Sequence, residues 1–369
     1  MNWYDVPFLT IPEGEVESIT DNTGTIMWTK AHVYGVSWAG NSSPLMTRTD
    51  DAASFSSPVI GNGGSSPFDN CYPWNQMVRV TDGAENLVAI PKFYYKWTKS
   101  GSTMKLQIAD RKVPGFLCSP AHADRGDGAG ERDLVYIGRY KCAWGYHSVS
   151  KSQPLGSMTI GTARSNIKAL GTGYYQQDYA MFWTLRMLFL VEFATWDAQS
   201  VLQNTANYDA IANVRTGDTD SMTYHTGISA NGYSVQYRYI EDLWENHLEW
   251  IDGIYHSGTS LYVINNPANN TGNSGGVRIG TLISSPANGY ISAWTIPTIS
   301  GLEWALIPSA LESSEGYVCD GYYYVSTGTN VYVGGSRSSW ELHGLFFMYT
   351  DFTASNSSSS VGTRLMKLP

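Results

Sequence analysis

Four carboxylates crowd one short stretch of the chain: Glu241, Asp242, Glu245 and Glu249. Paired carboxylates suit general acid–base work, one protonated and one charged. Their spacing suits the solvated face of a helix or loop better, and that is the expectation for this group. A second group, Asp124, Asp127, Glu131 and Asp133, lies in the Gly-rich loop from Asp124 to Asp133. Calcium takes several oxygens from flexible loops, so a structural calcium ion is the one cofactor the chain suggests. The spacing is not that of an EF-hand, and a hydrated surface loop is the simpler reading. Cys71, Cys118, Cys142 and Cys319 are widely spaced and form no C-x-x-C pair, which argues against zinc. Buried free thiols are the plain expectation for them. One or two unassigned disulfides remain the alternative. The seven histidines (His32, His122, His147, His225, His247, His256 and His343) show no ligand-like spacing either. Gly61 to Ser66 is Gly-rich but lacks the Lys and following helix of a phosphate loop, and reads as a turn.

With catalytic chemistry so thinly provided, the C-terminal stretch is more informative. Gly334-Gly335-Ser336 opens, and Val361-Gly362-Thr363-Arg364 closes, a run made mostly of Ser, Asn, Asp, Thr, Tyr, Phe and Trp. That run has too few aliphatic residues for a core strand throughout and too many aromatics for a disordered tail. Rigid rings beside small polar groups compose an adaptable binding surface. Trp340 stands among Ser338, Ser339 and Glu341 and reads as an exposed anchor, since Trp is enriched at binding hot spots. Leu345, Phe346, Val361 and Leu365 are apolar enough to hold the flanking strands in place.

Composition narrows the class. The 369 residues suit one large domain or two ordinary ones; 42% are hydrophobic and only 15% charged, so a sizeable core is assured. A net charge of -9 without any Lys/Arg cluster excludes a nucleic-acid binder. Residues 1–30 lack a basic start and apolar run, so no cleavable signal peptide is expected. The most apolar segment, Met181 to Thr195, is interrupted by Arg186 and Glu192 and is too short to span a bilayer, so no membrane insertion is expected.

The elements that must position these residues follow from periodicity. Val16 to Thr20 alternates, Asp21-Asn22-Thr23-Gly24 turns, and Thr25 to Trp28 resumes: a hairpin. Val88 to Trp97 reads as one strand, with Met104 to Ile108 as its partner. A helix is expected from about Asp178 to Leu202, where Phe182, Leu185, Phe189, Phe193 and Trp196 give one broad apolar face. A shorter helix is expected over Gly161 to Leu170. Trp244 and Trp250 belong to the core. The whole reads as an α+β chain with short strands, two helices and much irregular loop.

Three short motifs carry a resemblance. Glu245-Asn246-His247-Leu248-Glu249-Trp250-Ile251 resembles the Gly-Asn-Val-Trp-Glu-Trp-Val signature of the formylglycine-generating-enzyme branch of the C-type lectin fold. Val333-Gly334-Gly335-Ser336 and Gly362-Thr363-Arg364 are similar to that family's Arg-Gly-Gly-Ser-Trp and Gly-Phe-Arg. Leu190 to Thr195 looks like its second helix, and Thr49-Asp50-Asp51-Ala52 adds to a likeness with phage and prophage tail proteins carrying such domains. The resemblance implies a C-type lectin-like domain over residues 31–369, preceded by a small β-rich attachment segment at 1–30. It also implies that Glu249 makes buried structural hydrogen bonds.

Within that fold the chain is similar to the variable proteins of diversity-generating retroelements, whose segment between the last two motifs is mutagenised. The resemblance places the variable region at about 320–365. It assigns ligand binding to Arg337, Ser338, Ser339, Trp340, Glu341, Leu342, His343, Phe347, Tyr349, Asp351, Phe352 and Thr353, with Tyr322, Tyr323 and Tyr324 extending the same face. It implies a hypervariable receptor-binding protein of a virion tail tip, presented as a trimer among other tail subunits, that recognises a bacterial surface protein or glycan. A bacterial surface or secreted ligand-binding protein with the same domain is the alternative. An oxidase ranks third: the copper-dependent branch needs a cysteine pair between the last two motifs, where this chain has none, and Cys319 stands alone before them. The chain is therefore expected not to be an enzyme.

Overall fold

A computed structural model describes residues 31–203, 214–270, 273–335 and 344–369, with the backbone of Ser18–Thr20 and Ile26–Thr29. Those two short strands pair antiparallel, Ser18 opposite Thr29, as the alternation at the N-terminus leads one to expect. Beyond them the chain is an α+β fold, mostly sheet, with two α-helices among the described residues.

The largest sheet carries the C-terminal region. Its central strands are Leu248–Ser257, Asn330–Val333, Met348–Phe352 and Gly321–Tyr324, in that order. Ser260–Val263 and Val277–Thr281 extend one side, Asn288–Thr295 and Ile307–Glu312 the other. Val361–Gly362 lies parallel to Leu248–Ser257, with Leu248 opposite Val361 and Glu249 opposite Gly362. The next strand, Leu365–Lys367, leaves for a five-stranded sheet, between Tyr174–Gln176 and Leu134–Gly138. The residues on either side of Arg364 thus belong to two different sheets. A third sheet is built on Val33–Trp38, Thr103–Ala109 and Tyr94–Ser100.

The long strand expected over Val88 to Trp97 is two strands. Glu85–Pro91 ends where Pro91 has no N–H to donate, Lys92 turns to give its N–H to Asp133 O, and Tyr94–Ser100 begins in another sheet. The expected partner is correct for the second half: Trp97 faces Leu106 within Thr103–Ala109.

Helix α1 spans Ile160–Lys168, capped by Thr159, whose hydroxyl accepts from Thr162 N–H. Helix α2 spans Tyr179–Phe193, capped by Asp178 accepting from Met181 N–H at 2.9 Å. It stops well short of Leu202. Ala194 is left-handed (φ 53°), and the chain then pairs with an extended segment: Met46 N–H binds Ala194 O and Trp196 N–H binds Pro44 O. The single apolar face is also too narrow a description. Every residue of α2 is buried, so the helix runs through the middle of the protein. No helix among the described residues is long and apolar enough to cross a membrane.

A helix buried on all sides must satisfy its own charges. Glu192 is met by Arg238 and by the Tyr237 hydroxyl. The N-cap Asp178 also binds the buried Arg125 at 2.5 Å. Replacing Asp178 by Ala removes the cap and strands Arg125 without a counter-charge. Urea unfolding should show a loss of about 3–5 kcal/mol, the cost of breaking a buried pair from one side. A loss below about 1 kcal/mol, that of a cap alone, would show the pair to be unimportant.

Candidate functional site

Arg364 is fully buried and all its N–H groups have acceptors. Nε binds Glu249 Oε1 at 3.1 Å, Nη1 binds Gly138 O and Arg139 O, and Nη2 binds Glu241 O and Asp242 O at 2.8 and 2.7 Å. Lys141 Nζ reaches the same Glu249 oxygen at 2.7 Å. Burial pulls the Lys141 ammonium down, against the attraction of Glu249. The buried structural role expected of Glu249 is what its hydrogen bonds describe.

Its three neighbours are not a solvated face. Glu241, Asp242 and Glu245 are all buried. The Glu241 carboxyl accepts from Gly217 N–H, Thr219 N–H and the Thr219 hydroxyl. The Asp242 carboxyl accepts from Val235 N–H, the Ser234 hydroxyl and the Asn246 amide. Burial raises both carboxyls, and Asp242 adds repulsion to Glu241. These acids knit a loop, and the reason is backbone strain. Arg238, Tyr239, Asp242, Glu245 and Asn246 all have positive φ. Such conformations cost on the order of 1 kcal/mol or more each and persist only where surroundings enforce them.

That loop supports Gly334. With φ +86°, Gly334 lies where a Cβ would sit 3.4 Å from Leu243 O and 3.5 Å from Trp244 Cα. Gly335 is also left-handed (φ 85°). The left-handed conformation of both residues is what favours glycine there. The three motifs that were far apart in sequence adjoin in space: Glu249 lies opposite Val333 and Gly362, and it binds Arg364.

A second clamp follows at residues 344–347. Asp320 accepts from Gly344 N–H at 2.5 Å and Phe346 N–H at 2.7 Å. Arg186 of α2 gives Nε to Leu345 O at 2.9 Å and Nη2 to Phe347 O at 3.5 Å, with its guanidinium 5.4 Å from the Phe346 ring centre. Leu345, Phe346, Val361 and Leu365 are fully buried anchors, as expected.

The residues assigned to ligand binding divide three ways. Arg337, Ser338, Ser339, Trp340, Glu341, Leu342 and His343 lie outside the described residues. Tyr322, Tyr324 and Phe347 are interior, which corrects their placement on an outer face. Strand alternation is the cause: Tyr322 and Tyr324 point inward, Tyr322 giving its hydroxyl to Ile283 O, while Tyr323 between them is half-buried. Tyr349, Asp351, Phe352 and Thr353 are half-buried. Tyr323 and Tyr349 meet ring to ring at 5.2 Å, and Phe352 lies 4.9 Å from Tyr332 and 5.7 Å from Trp250. Asp351 accepts the Tyr332 hydroxyl. Together these form a half-exposed aromatic patch on the central strands.

Sequence reasoning missed Asp320 and Arg186. An Arg within an otherwise apolar helix was the available signal for one, and nothing marked the other. It also missed Trp144, which is 87% exposed. Tyr146, two residues on, packs against the same cluster as Tyr349 and Phe352.

The other candidate chemistries are occupied within the fold. Asp127 pairs with Arg132, Asp133 and Glu131 with Lys92, and Asp124 accepts from Gly126 N–H. No group of three or more His, Cys, Asp or Glu among the described residues is placed to hold a metal. All four cysteines are free thiols, Cys71 and Cys142 buried. The Ser119 hydroxyl lies 2.6 Å from His122 Nδ1, but both residues are wholly buried and Nε2 is committed to Ile90 O. Burial takes His122 down to about 4, so this pair is neutral packing. No family model matches the chain, and no curated protein matches it.

Two outcomes follow from the clamps. Arg364→Lys keeps the charge but cannot serve five acceptors, and should cost about 3–5 kcal/mol in urea unfolding; a change under about 1 kcal/mol would refute the network's role. Burial pushes the Asp320 carboxyl up to about 8. Unfolded, it titrates near its ordinary value of about 3.9, so the native state holds the extra proton between these limits. Its contribution is fully present below about pH 4 and is lost as pH rises towards about 8. Asp320→Asn should flatten the fall of unfolding free energy across that window; identical slopes would contradict it.

Proposed function

We propose that the chain is a receptor-binding protein with a C-type lectin-like domain, of the hypervariable kind displayed on phage or prophage tail tips. It recognises a bacterial surface protein or glycan through the segment 336–343 and the half-exposed patch of Tyr323, Tyr349, Phe352 and Asp351. One observation carries this reading: the chain is held by buried groups on both sides of that segment. Gly334 is seated on the strained loop tied by Arg364, and Gly344 to Phe347 are gripped by Asp320 and Arg186. A segment fastened at both ends can change its side chains without passing strain to the core.

The convergence of the three motif segments on one ion pair supports the lectin-like reading, because it gives those residues a common structural task. The aromatic patch supports binding, since Tyr and Trp offer large rigid contact area at low entropic cost. Display as a trimer among tail subunits would multiply a weak single-site affinity.

The test replaces residues 337–343 with Gly and Ser and measures binding of the protein to cells of its bacterial host. Cell binding should fall by roughly tenfold or more, equivalent to about 1.4 kcal/mol. The unfolding midpoint should stay within a few degrees of the parent, the outcome for side chains that take no part in the core. Unchanged binding by the folded variant would refute the assignment.

A further inference from the structure

A cavity of about 330 Å³ lies between α1 and the turn Pro267–Asn270. That volume falls within the roughly 300–1,000 Å³ of small-molecule sites. Helix α1 buries Ile160, Ala163 and Ile167, and it lines the cavity with Gly161, Arg164, Ser165 and Lys168. Positions three and four apart are neighbours on a helix surface, so these four form a single stripe. Asp252 of Leu248–Ser257 and Tyr175 of Tyr174–Gln176 line the same space, with Pro267 and Ala268 of the turn.

Two cations and one carboxylate meet on that wall. Arg164 gives Nε and Nη2 to Asp252 at 2.8 and 2.9 Å, and both side chains are mostly buried, so this pair is neutral and held in place. Lys168 is exposed and has no ion-pair or hydrogen-bond partner among the described residues. Arg164 and Lys168 against Asp252 therefore leave one positive charge in excess. In a chain of net charge -9, that local excess runs against the overall field. The Ser165 and Tyr175 hydroxyls are also without partners among the described residues, and Arg164 keeps Nη1 uncommitted.

The wall thus offers an ammonium, one guanidinium N–H and two hydroxyls to an acceptor-rich anion. A carboxylate is best met by a guanidinium fork, and the fork of Arg164 is spent on Asp252. Single donors grouped around a lysine suit a phosphate monoester, which carries roughly -1.5 to -2 charge at pH 7 and three strong acceptor oxygens. Pro267, Ala268 and the Tyr175 ring supply apolar surface for the organic part of such a molecule.

We propose that this cavity binds a small phosphate monoester, with Lys168 as the counter-charge of its phosphate and Arg164, Ser165 and Tyr175 as hydrogen-bond donors. The assignment does not rest on the receptor-binding reading of residues 336–343.

Calorimetric titration of the full chain at about pH 7 tests it, with glycerol phosphate and phenyl phosphate as probes and glycerol and acetate as controls. At least one probe should bind saturably with a dissociation constant of about 1 mM or below, and neither control should. Lys168→Gln should weaken that binding roughly tenfold, the loss of one charge-assisted hydrogen bond, while Lys168→Arg should retain most of it. Gly161→Trp should abolish binding by filling the space: a Cβ there meets nothing closer than Thr159 Oγ1 at 4.0 Å, so the helix accommodates a larger side chain. Circular dichroism checks that each variant is folded; if Gly161→Trp is not, Lys168→Gln at its exposed position decides alone. No saturable binding of either phosphate would overturn the proposal. So would equal binding of acetate, or undiminished binding by either folded variant. The chain carrying Gly and Ser at 337–343 should give the parent's titration, which separates failure here from failure of the receptor-binding assignment.

Discussion

The structure depends on one guanidinium. Arg364 sits where the chain passes from the large sheet to a five-stranded one, and its five donors are spent on one carboxylate and four backbone carbonyls. Those carbonyls belong to two separate segments, 138–139 and 241–242. A single planar side chain therefore fixes the relative position of three stretches of backbone and the strand bearing Glu249. A buried ion pair is weak evidence of net stability, because desolvation offsets much of the attraction. Its contribution here is geometric: it enforces a loop with five left-handed non-glycine residues that would otherwise relax.

From that loop the support passes outward. Leu243 and Trp244 carry Gly334, and Gly334-Gly335 leads into residues 336–343. On the other side Asp320 and Arg186 take hold of Gly344 to Phe347. Arg186 comes from a helix buried over its whole length, so this grip is anchored in the centre of the protein. The grip on Gly344 to Phe347 is made through backbone N–H and C=O groups, so it does not depend on hydrogen bonds from the side chains at those positions.

Much of this was legible in the sequence, for identifiable reasons. Periodicity exposed α1, α2, the N-terminal hairpin and the Tyr94–Ser100 pairing, because each repeats a local pattern. Trp244 and Trp250 were legible as core from their type alone. Boundaries were less so: α2 ends at Ala194 through contacts with residues 44–46, far away in sequence. Glu241 and Asp242 looked solvated because partners such as Gly217, Thr219 and Val235 are brought to them only by folding. Tyr322 and Tyr324 looked like surface because composition reports residue type and not which side of a strand faces the core. The role of Asp320 left no trace, since its partners are backbone N–H groups that any sequence possesses.

Independence of residues 337–343 from the scaffold is the central claim, and a randomised library tests it most directly. Two libraries displayed on a cell surface and sorted for protease resistance would be compared, one randomised at 337–343 and one at 344–347. Most members of the first should resist proteolysis as the parent does, and few of the second should. Equal losses in the two libraries would contradict the claim.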